Sequence, residues 1–190
     1  MSLKKNHIPY SDIYALAVFY SERDMYHNAV PRDELCKMIT SIAFIESGYA
    51  SKGKDAPKDL GLIVGYGCDP GAKNPGGATG LMQMTNSGAG QVQKNTRIKI
   101  SKKTTLDNPR FAIFCAINQL SWIYKTKSFG NFNWWQSAKR YNGEAGGNDT
   151  LYANRAIEIR NFLENNGYFA TALKNIDVAL AKYGILIKTN

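Results

Sequence analysis

Apolar residues recur along this chain at the three- and four-residue spacing of helices, and the strict alternation that strands need is scarce. Ile13, Leu16, Ala17 and Tyr20 share one face of a first helix expected over residues 11–26, with Ser11 as its N-cap. Leu35, Met38, Ile39 and Ile42 mark a second helix from Asp33 to Glu46. From Phe111 to Tyr124 apolar side chains, among them Ile113, Ile117, Leu120 and Trp122, occupy nearly every face, the pattern of a buried central helix. Asp107-Asn108-Pro109 supplies its start, with Asn108 as N-cap and Pro109 at the first helical position. A short helix is expected from about Trp134 to Tyr141-Asn142-Gly143. Another begins near Asp149 or Thr150, carries Tyr152, Ala156, Ile159 and Leu163 on one stripe, and stops at Gly167. A last helix over 168–187 aligns Leu173, Ile176, Leu180 and Tyr183.

Between residues 48 and 79 the helical pattern breaks. Gly53, Gly61, Gly65, Gly67 and Gly71 with Pro57, Pro70 and Pro75 mark a long irregular excursion, of the kind that in compact domains is usually functional or mobile. Leu62 to Val64 reads there as a short strand. The expectation is a mainly α, single-domain chain over residues 1–190, with a core at 33–165, a long Gly/Pro-rich loop and an extra C-terminal helix.

One residue breaks the apolar pattern of the second helix. Glu46 lies eleven positions after Leu35 and so continues the stripe that faces the core. A buried carboxylate is costly, so the group either finds a partner or keeps its proton near neutral pH. A protonated carboxyl can donate. Ser47 and Gly48 follow, and a glycine there ends a helix, which would set the carboxyl at a helix terminus bordering a cleft. Taken alone, Glu46 also reads as a side chain snorkelling outward from a frayed last turn.

Composition adds a charge balance. Lys and Arg number 24 against 15 Asp and Glu, a net +9 with a pI near 9.4, which points to an anionic partner or to a plain solvated surface. Clusters at Lys52 to Lys58, Lys94 to Lys103, Lys125 to Lys127 and Lys139 to Arg140 lack the register of a DNA-reading helix, so no nucleic-acid partner is expected. Cys36, Cys68 and Cys115 are far apart and the histidines are only His7 and His27, so neither a metal site nor any cofactor is expected, and the thiols are read as free. No stretch is long and apolar enough for a membrane span. No secretory leader is visible at the N-terminus, so synthesis in the cytoplasm is expected unless a leader has been removed.

Three further segments complete a constellation: Gly80-Leu81-Met82-Gln83, then Tyr141-Asn142-Gly143, then Tyr152 on the next helix. In this order after Glu46-Ser47, over roughly residues 33–165, they resemble the soluble lytic transglycosylases and their relative, goose-type lysozyme. The resemblance implies a lysozyme-like helical fold whose cleft takes peptidoglycan glycan strands. It makes Glu46 the catalytic acid, Ser47 the neighbour that helps place the substrate or the Glu, and Gly80, Met82 and Gln83 the strip lining the cleft. Tyr141 and Asn142 become the pair supporting the sugar site, and Tyr152 the tyrosine near the carboxyl. Tyr141 and Tyr152 read equally as core aromatics, Asn142 as a helix C-cap, and Met82 and Met84 as packing residues. Two departures stand out: the long interval from Glu46 to Gln83, closer to the goose-type arrangement, and Gly143-Glu144 where the family has Ala-Gly.

The resemblance further implies cleavage of the bond between N-acetylmuramic acid and N-acetylglucosamine, with Glu46 as acid and then base and a 1,6-anhydromuramyl product. An inverting hydrolase needs a second carboxylate to hold a water, and Asp69 or Asp59 in the long loop, with Asp55, are the candidates; Asp69 reads also as a turn residue. Trp134 or Trp135 could stack on sugars, while Trp122 is expected in the core. Rival classes are a basic nucleic-acid binder and a non-catalytic wall-binding or structural phage protein. Size, charge and the missing leader fit a monomeric phage lysin released by a holin or carried in a virion, with the anionic envelope surface as a possible partner of the C-terminal helix.

Overall fold

The computed structural model describes residues 6–24, 26, 29–48, 59–100, 106–126, 133–142 and 149–186. Asp55, Gly143, Glu144 and the Lys52 to Lys58 cluster lie outside them. The described residues form nine helices and no strand. The helices are α1 (Tyr10–Ser21), α2 (Arg32–Glu46), α3 (Leu60–Tyr66), α4 (Asn86–Thr96), α5 (Pro109–Lys125), α6 (Trp134–Asn142), α7 (Asp149–Asn165), α8 (Tyr168–Lys174) and α9 (Ile176–Ala181). None is long and apolar enough to cross a membrane, among the described residues.

Helix α2 is the axle. Leu35, Met38, Ile39 and Ile42 are buried as their spacing predicts, and Cys36, Thr40, Ser41 and Ala43 on the other faces are buried too, because α1, α5, α6 and α7 all pack against this helix. Thr40 and Ser41 return their hydroxyls to the carbonyls of Cys36 and Lys37, so small polar residues are accommodated without loose hydrogen bonds. Helix α5 starts as expected, with the Asn108 carboxamide accepting from the Arg110 N–H at 3.0 Å and Pro109 next. It is apolar all round for a specific reason: Ile113, Ile117 and Leu120 join the main core, while Cys115 joins a second cluster with Met84, Ala89, Val92 and Leu106. Trp122, expected in the core, is only half-buried. All three cysteines are buried and free.

Four expectations need correction. Helix α1 begins after Pro9, so Ser11 is inside the helix rather than its cap, and α1 ends at Ser21, whose hydroxyl turns back to the Val18 carbonyl. Residues Leu62 to Val64 are helical, within α3: the Asp59 carboxylate accepts from the N–H groups of Gly61 and Leu62 and nucleates a turn that the apolar run alone does not reveal. Helix α4 has no counterpart among the expected elements, since Gly88 and Gly90 depress its propensity, yet the Thr85 hydroxyl caps it by accepting from Gly88 N–H. The single C-terminal helix is two, broken at Asn175, which leaves Leu173 and Val178 on the surface.

The C-terminal pair is nonetheless fastened down. Asp12, buried on α1, receives Lys182 Nζ at 3.0 Å and the Tyr183 hydroxyl at 3.1 Å. A second polar clamp joins α2 to α7: Lys37 reaches Asp33 and Glu164, each at 2.7 Å, and Arg160 grips Glu34 with two guanidinium nitrogens. Lys37 is 8% exposed but its partners are partly solvated, Asp33 at 65% and Glu164 at 40% side-chain exposure, so its loss would leave carboxylates facing one another with water screening part of their repulsion. Lys37→Met is expected to cost about 2 kcal/mol in urea unfolding; an unchanged midpoint would show that the clamp contributes nothing net.

Candidate active site

Glu46 is the last residue of α2. Its side chain keeps part of its surface open, yet protein crowds most of its surroundings, and that desolvation pushes the carboxyl from 4.5 up to about 7 against the opposing pull of a hydrogen bond from Tyr152. The Tyr152 hydroxyl donates to Glu46 Oε1 at 2.6 Å, across 106 residues of chain, because the apolar stripe of α7 (Ala156, Ile159, Leu163) seats that helix on α2. Burial and the nearby Glu46 charge hold the Tyr152 hydroxyl far above its ordinary value, so it stays a donor at every working pH. The Tyr141 hydroxyl is raised in the same way, by burial first and then by the charges of Glu46 and Cys115. Two phenols and one carboxyl therefore converge from α6, α7 and α2.

Backbone geometry fixes the carboxyl from below. Ser47, the C-cap of α2, is buried and donates its hydroxyl to the Leu81 carbonyl at 2.6 Å, while its own carbonyl accepts from Asp69 N–H at 3.0 Å. The end of α2 is thus stitched to both ends of the segment 69–81. Gly48 is required here by close approach: a Cβ would lie 2.6 Å from the Phe44 carbonyl oxygen.

The Gly80-Leu81-Met82-Gln83 segment forms a tight turn packed on Leu106. Gly80 has φ +80°, and a Cβ there would fall 2.0 Å from the Leu106 carbonyl oxygen. Gln83 also takes a left-handed conformation, φ 43°, and its side-chain nitrogen donates to the carbonyls of Ala72 at 2.7 Å and Gly80 at 2.9 Å. With both amide hydrogens engaged, the carboxamide oxygen is the group Gln83 has left for a ligand. Met82 does not line the cleft with its side chain: it is 0% exposed and packs in the core, while its carbonyl accepts from the Tyr141 hydroxyl at 3.2 Å.

Asn142 ends α6 and is exposed. The start of α6 is a reciprocal capping box, Asn133 with Gln136, which fixes the helix that carries Tyr141. Trp134 stacks on Tyr124 with centroids 4.4 Å apart, and the Trp135 indole N–H donates to Asn154 at 2.7 Å, so each already spends one of its contacts inside the protein. Of the candidate second carboxylates, Asp59 is exposed and occupied as the cap of α3. Asp69 accepts from Gly71 N–H at 2.8 Å in a turn, although its backbone bond to Ser47 holds it beside the α2 terminus. No group of His, Cys, Asp and Glu that could hold a metal ion is found among the described residues. Ala72 and Leu81 contribute to the site without any signature in the amino-acid pattern, because they act through backbone carbonyls that any residue type would supply.

A half-open carboxyl that titrates near neutrality, flanked by fixed phenol donors and a rigid amide-bearing turn, is equipped to give a proton to a bound oxygen and to take one back. A family model described as Transglycosylase SLT domain matches residues 67–162, half of the chain; the match takes in Gln83, Tyr141, Asn142 and Tyr152 and begins after Glu46 and Ser47. No curated protein and no solved structure matches the chain.

Proposed function

The chain belongs to the transglycosylase SLT domain family, whose members are lytic transglycosylases acting on peptidoglycan, and we propose that in this member Glu46 is the residue that performs the cleavage. The observation that carries the reading is the pairing of Glu46 with the Tyr152 hydroxyl at 2.6 Å, on a carboxyl largely withdrawn from water. In the proposed sequence the protonated Glu46 gives its proton to the bridging oxygen as the bond from the muramic C1 breaks. The developing cation is stabilised by the sugar's own acetamido oxygen. Glu46, now a carboxylate, takes the proton of the 6-hydroxyl as that oxygen closes on C1. The proton count is restored, no water is consumed, and a 1,6-anhydromuramyl end results.

The same group must be acid first and base second, which a carboxyl poised at about 7 can do at neutral pH. Ser47 and Tyr141 are read as positioning residues, since their hydroxyls are engaged by the Leu81 and Met82 carbonyls. Gln83, through its free carboxamide oxygen, and exposed Asn142 are read as contacts for the glycan strand.

The first test is mass spectrometry of muropeptides released from purified peptidoglycan. Fragments lighter by one water than the corresponding reducing-end products are expected. Reducing ends would sink the transglycosylase step and turn attention to Asp69, whose amide is tied to Ser47.

The second test concerns Tyr152. Its hydrogen bond stabilises the ionised form of Glu46, so Tyr152→Phe raises the carboxyl above about 7 and moves the alkaline fall of activity to higher pH, by about one unit. A pH–rate profile that keeps its midpoint would separate Tyr152 from the carboxyl.

A further inference from the structure

The excess positive charge of the chain is not spread over it. Residues 70–143 hold eleven of the 24 Lys and Arg and, in Asp107, one of the fifteen acidic residues, so this span carries a net +10 and the rest of the chain −1. Between Asp69 and Asp107 no acid occurs at all, while Lys73, Lys94, Arg97, Lys99, Lys102 and Lys103 do. The ion pairs among the described residues follow the same division: they join side chains outside the span, such as Lys37 with Asp33 and Glu164, or Lys182 with Asp12. The rest of the chain neutralises itself. Among the described residues, the Gln83 turn and α4 do not.

The uncompensated cations have a definite place. Lys73 is exposed in the loop whose next residues hold Gly80 and Gln83. Helix α4 springs directly from the Gln83 turn through its Thr85 cap, and Lys94, Arg97 and Lys99 are exposed at its far end. Eleven helical residues at about 1.5 Å each set that group about 16 Å from the turn. One cationic group therefore lies beside the cleft-lining turn and another one helix-length along.

Resting on the reading of the cleft given above, we propose that this face is a docking surface for the carboxylates of the peptide stems that a peptidoglycan strand carries, so that the protein favours stem-bearing strands over bare glycan. Spaced, singly charged carboxylates suit the chemistry present. Among the described residues of this face, Lys73, Lys94 and Lys99 are lysines, compact point charges, and Arg97 is a lone arginine, whereas a phosphodiester polymer is read best by paired arginine forks.

The test uses the full chain carrying Glu46→Gln, which binds without cutting, with and without the triple change Lys94→Gln, Arg97→Gln, Lys99→Gln. Binding is measured to purified sacculi free of phosphate polymers and to the same strands stripped of their peptides by an amidase. The triple variant is expected to bind stem-bearing sacculi about tenfold more weakly at low salt, with the difference gone by about 0.5 M salt, and to bind stripped strands as its parent does. In the catalytically intact background the same change should raise KM on stem-bearing strands and leave kcat alone. Equal binding of variant and parent to stem-bearing sacculi, or equal losses on both substrates, would overturn the proposal. Retention on double-stranded DNA as strong as on sacculi would also overturn it, in favour of nucleic acid. Failure of the unmodified protein to cleave either substrate would instead strike at the role of Glu46, and the binding comparison would still decide the docking surface.

Discussion

Glu46→Gln is expected to lower turnover on peptidoglycan by about a thousandfold or more, the scale of a lost general acid, while circular dichroism and wall binding stay as they are. Glutamine keeps the volume and can still accept from the Tyr152 hydroxyl, but it has no transferable proton. The same substitution should stabilise the protein, and the sign follows from linkage. The folded carboxyl titrates at about 7 against an ordinary 4.5, so the folded state holds this proton more tightly than the unfolded one. Ionising Glu46 therefore weakens the fold: the penalty is absent below about 4.5, grows between 4.5 and 7, and is complete above 7. Removing the charge recovers about 3 kcal/mol at pH 8 and nothing at pH 4, measured by urea unfolding at both values. A variant that is inactive yet no more stable at pH 8 would mean that Glu46 is not held in the desolvated setting described. Retained turnover would remove it from the chemistry altogether.

That destabilising charge is also what makes Glu46 legible in the amino-acid pattern. A carboxylate in register with Leu35, Met38, Ile39 and Ile42 violates the periodicity of its helix, and a position that breaks a local rule is where function is expected to be found. The burial of those four residues, the Asn108 cap and the α7 stripe are legible for the complementary reason, that side-chain pattern alone specifies them. The features that pattern does not reveal are carried by the backbone. The clamp from Ser47 to Leu81, the seating of Gln83 on the Ala72 and Gly80 carbonyls, and the turn of α3 on Asp59 depend on where main-chain groups meet across the fold. Helix α4 is hidden because its glycines argue locally against a helix that tertiary packing of Ala89 and Val92 imposes. The C-terminal helix misleads in the opposite sense. Its periodicity is real, but with the break at Asn175 Leu173 stays on the surface, and attachment is shared between buried Phe169, Ala172, Ala179 and Leu180 and the polar contacts of Asp12.

The two glycines flanking this hidden architecture give a matched pair with opposite signs. Gly80 has φ +80°, and an added Cβ would stand 2.0 Å from the Leu106 carbonyl oxygen, a backbone atom with no rotamer in which to retreat. Gly80 also donates to the Ala72 carbonyl at 2.8 Å and accepts from Gln83 through both the main-chain and side-chain nitrogens, so relief of the clash requires the turn to lift off Leu106 and release Gln83. Gly80→Ala is therefore expected to cost about 3 kcal/mol or more, from left-handed strain and broken packing together, and to lower turnover even where the protein remains folded. Gly90, inside α4, has open space where its Cβ would be. Gly90→Ala should raise stability by about 0.5 to 1 kcal/mol, because alanine restricts the unfolded chain and favours the helix. Urea midpoints of the two variants, read with their kcat on peptidoglycan, decide the matter. If Gly80→Ala unfolds at the wild-type midpoint, the turn does not sit against Leu106 as described, and the orientation of the Gln83 carboxamide loses its foundation. If Gly80→Ala is destabilised but fully active while folded, the turn is a structural brace and Gln83 is not a contact for the glycan strand.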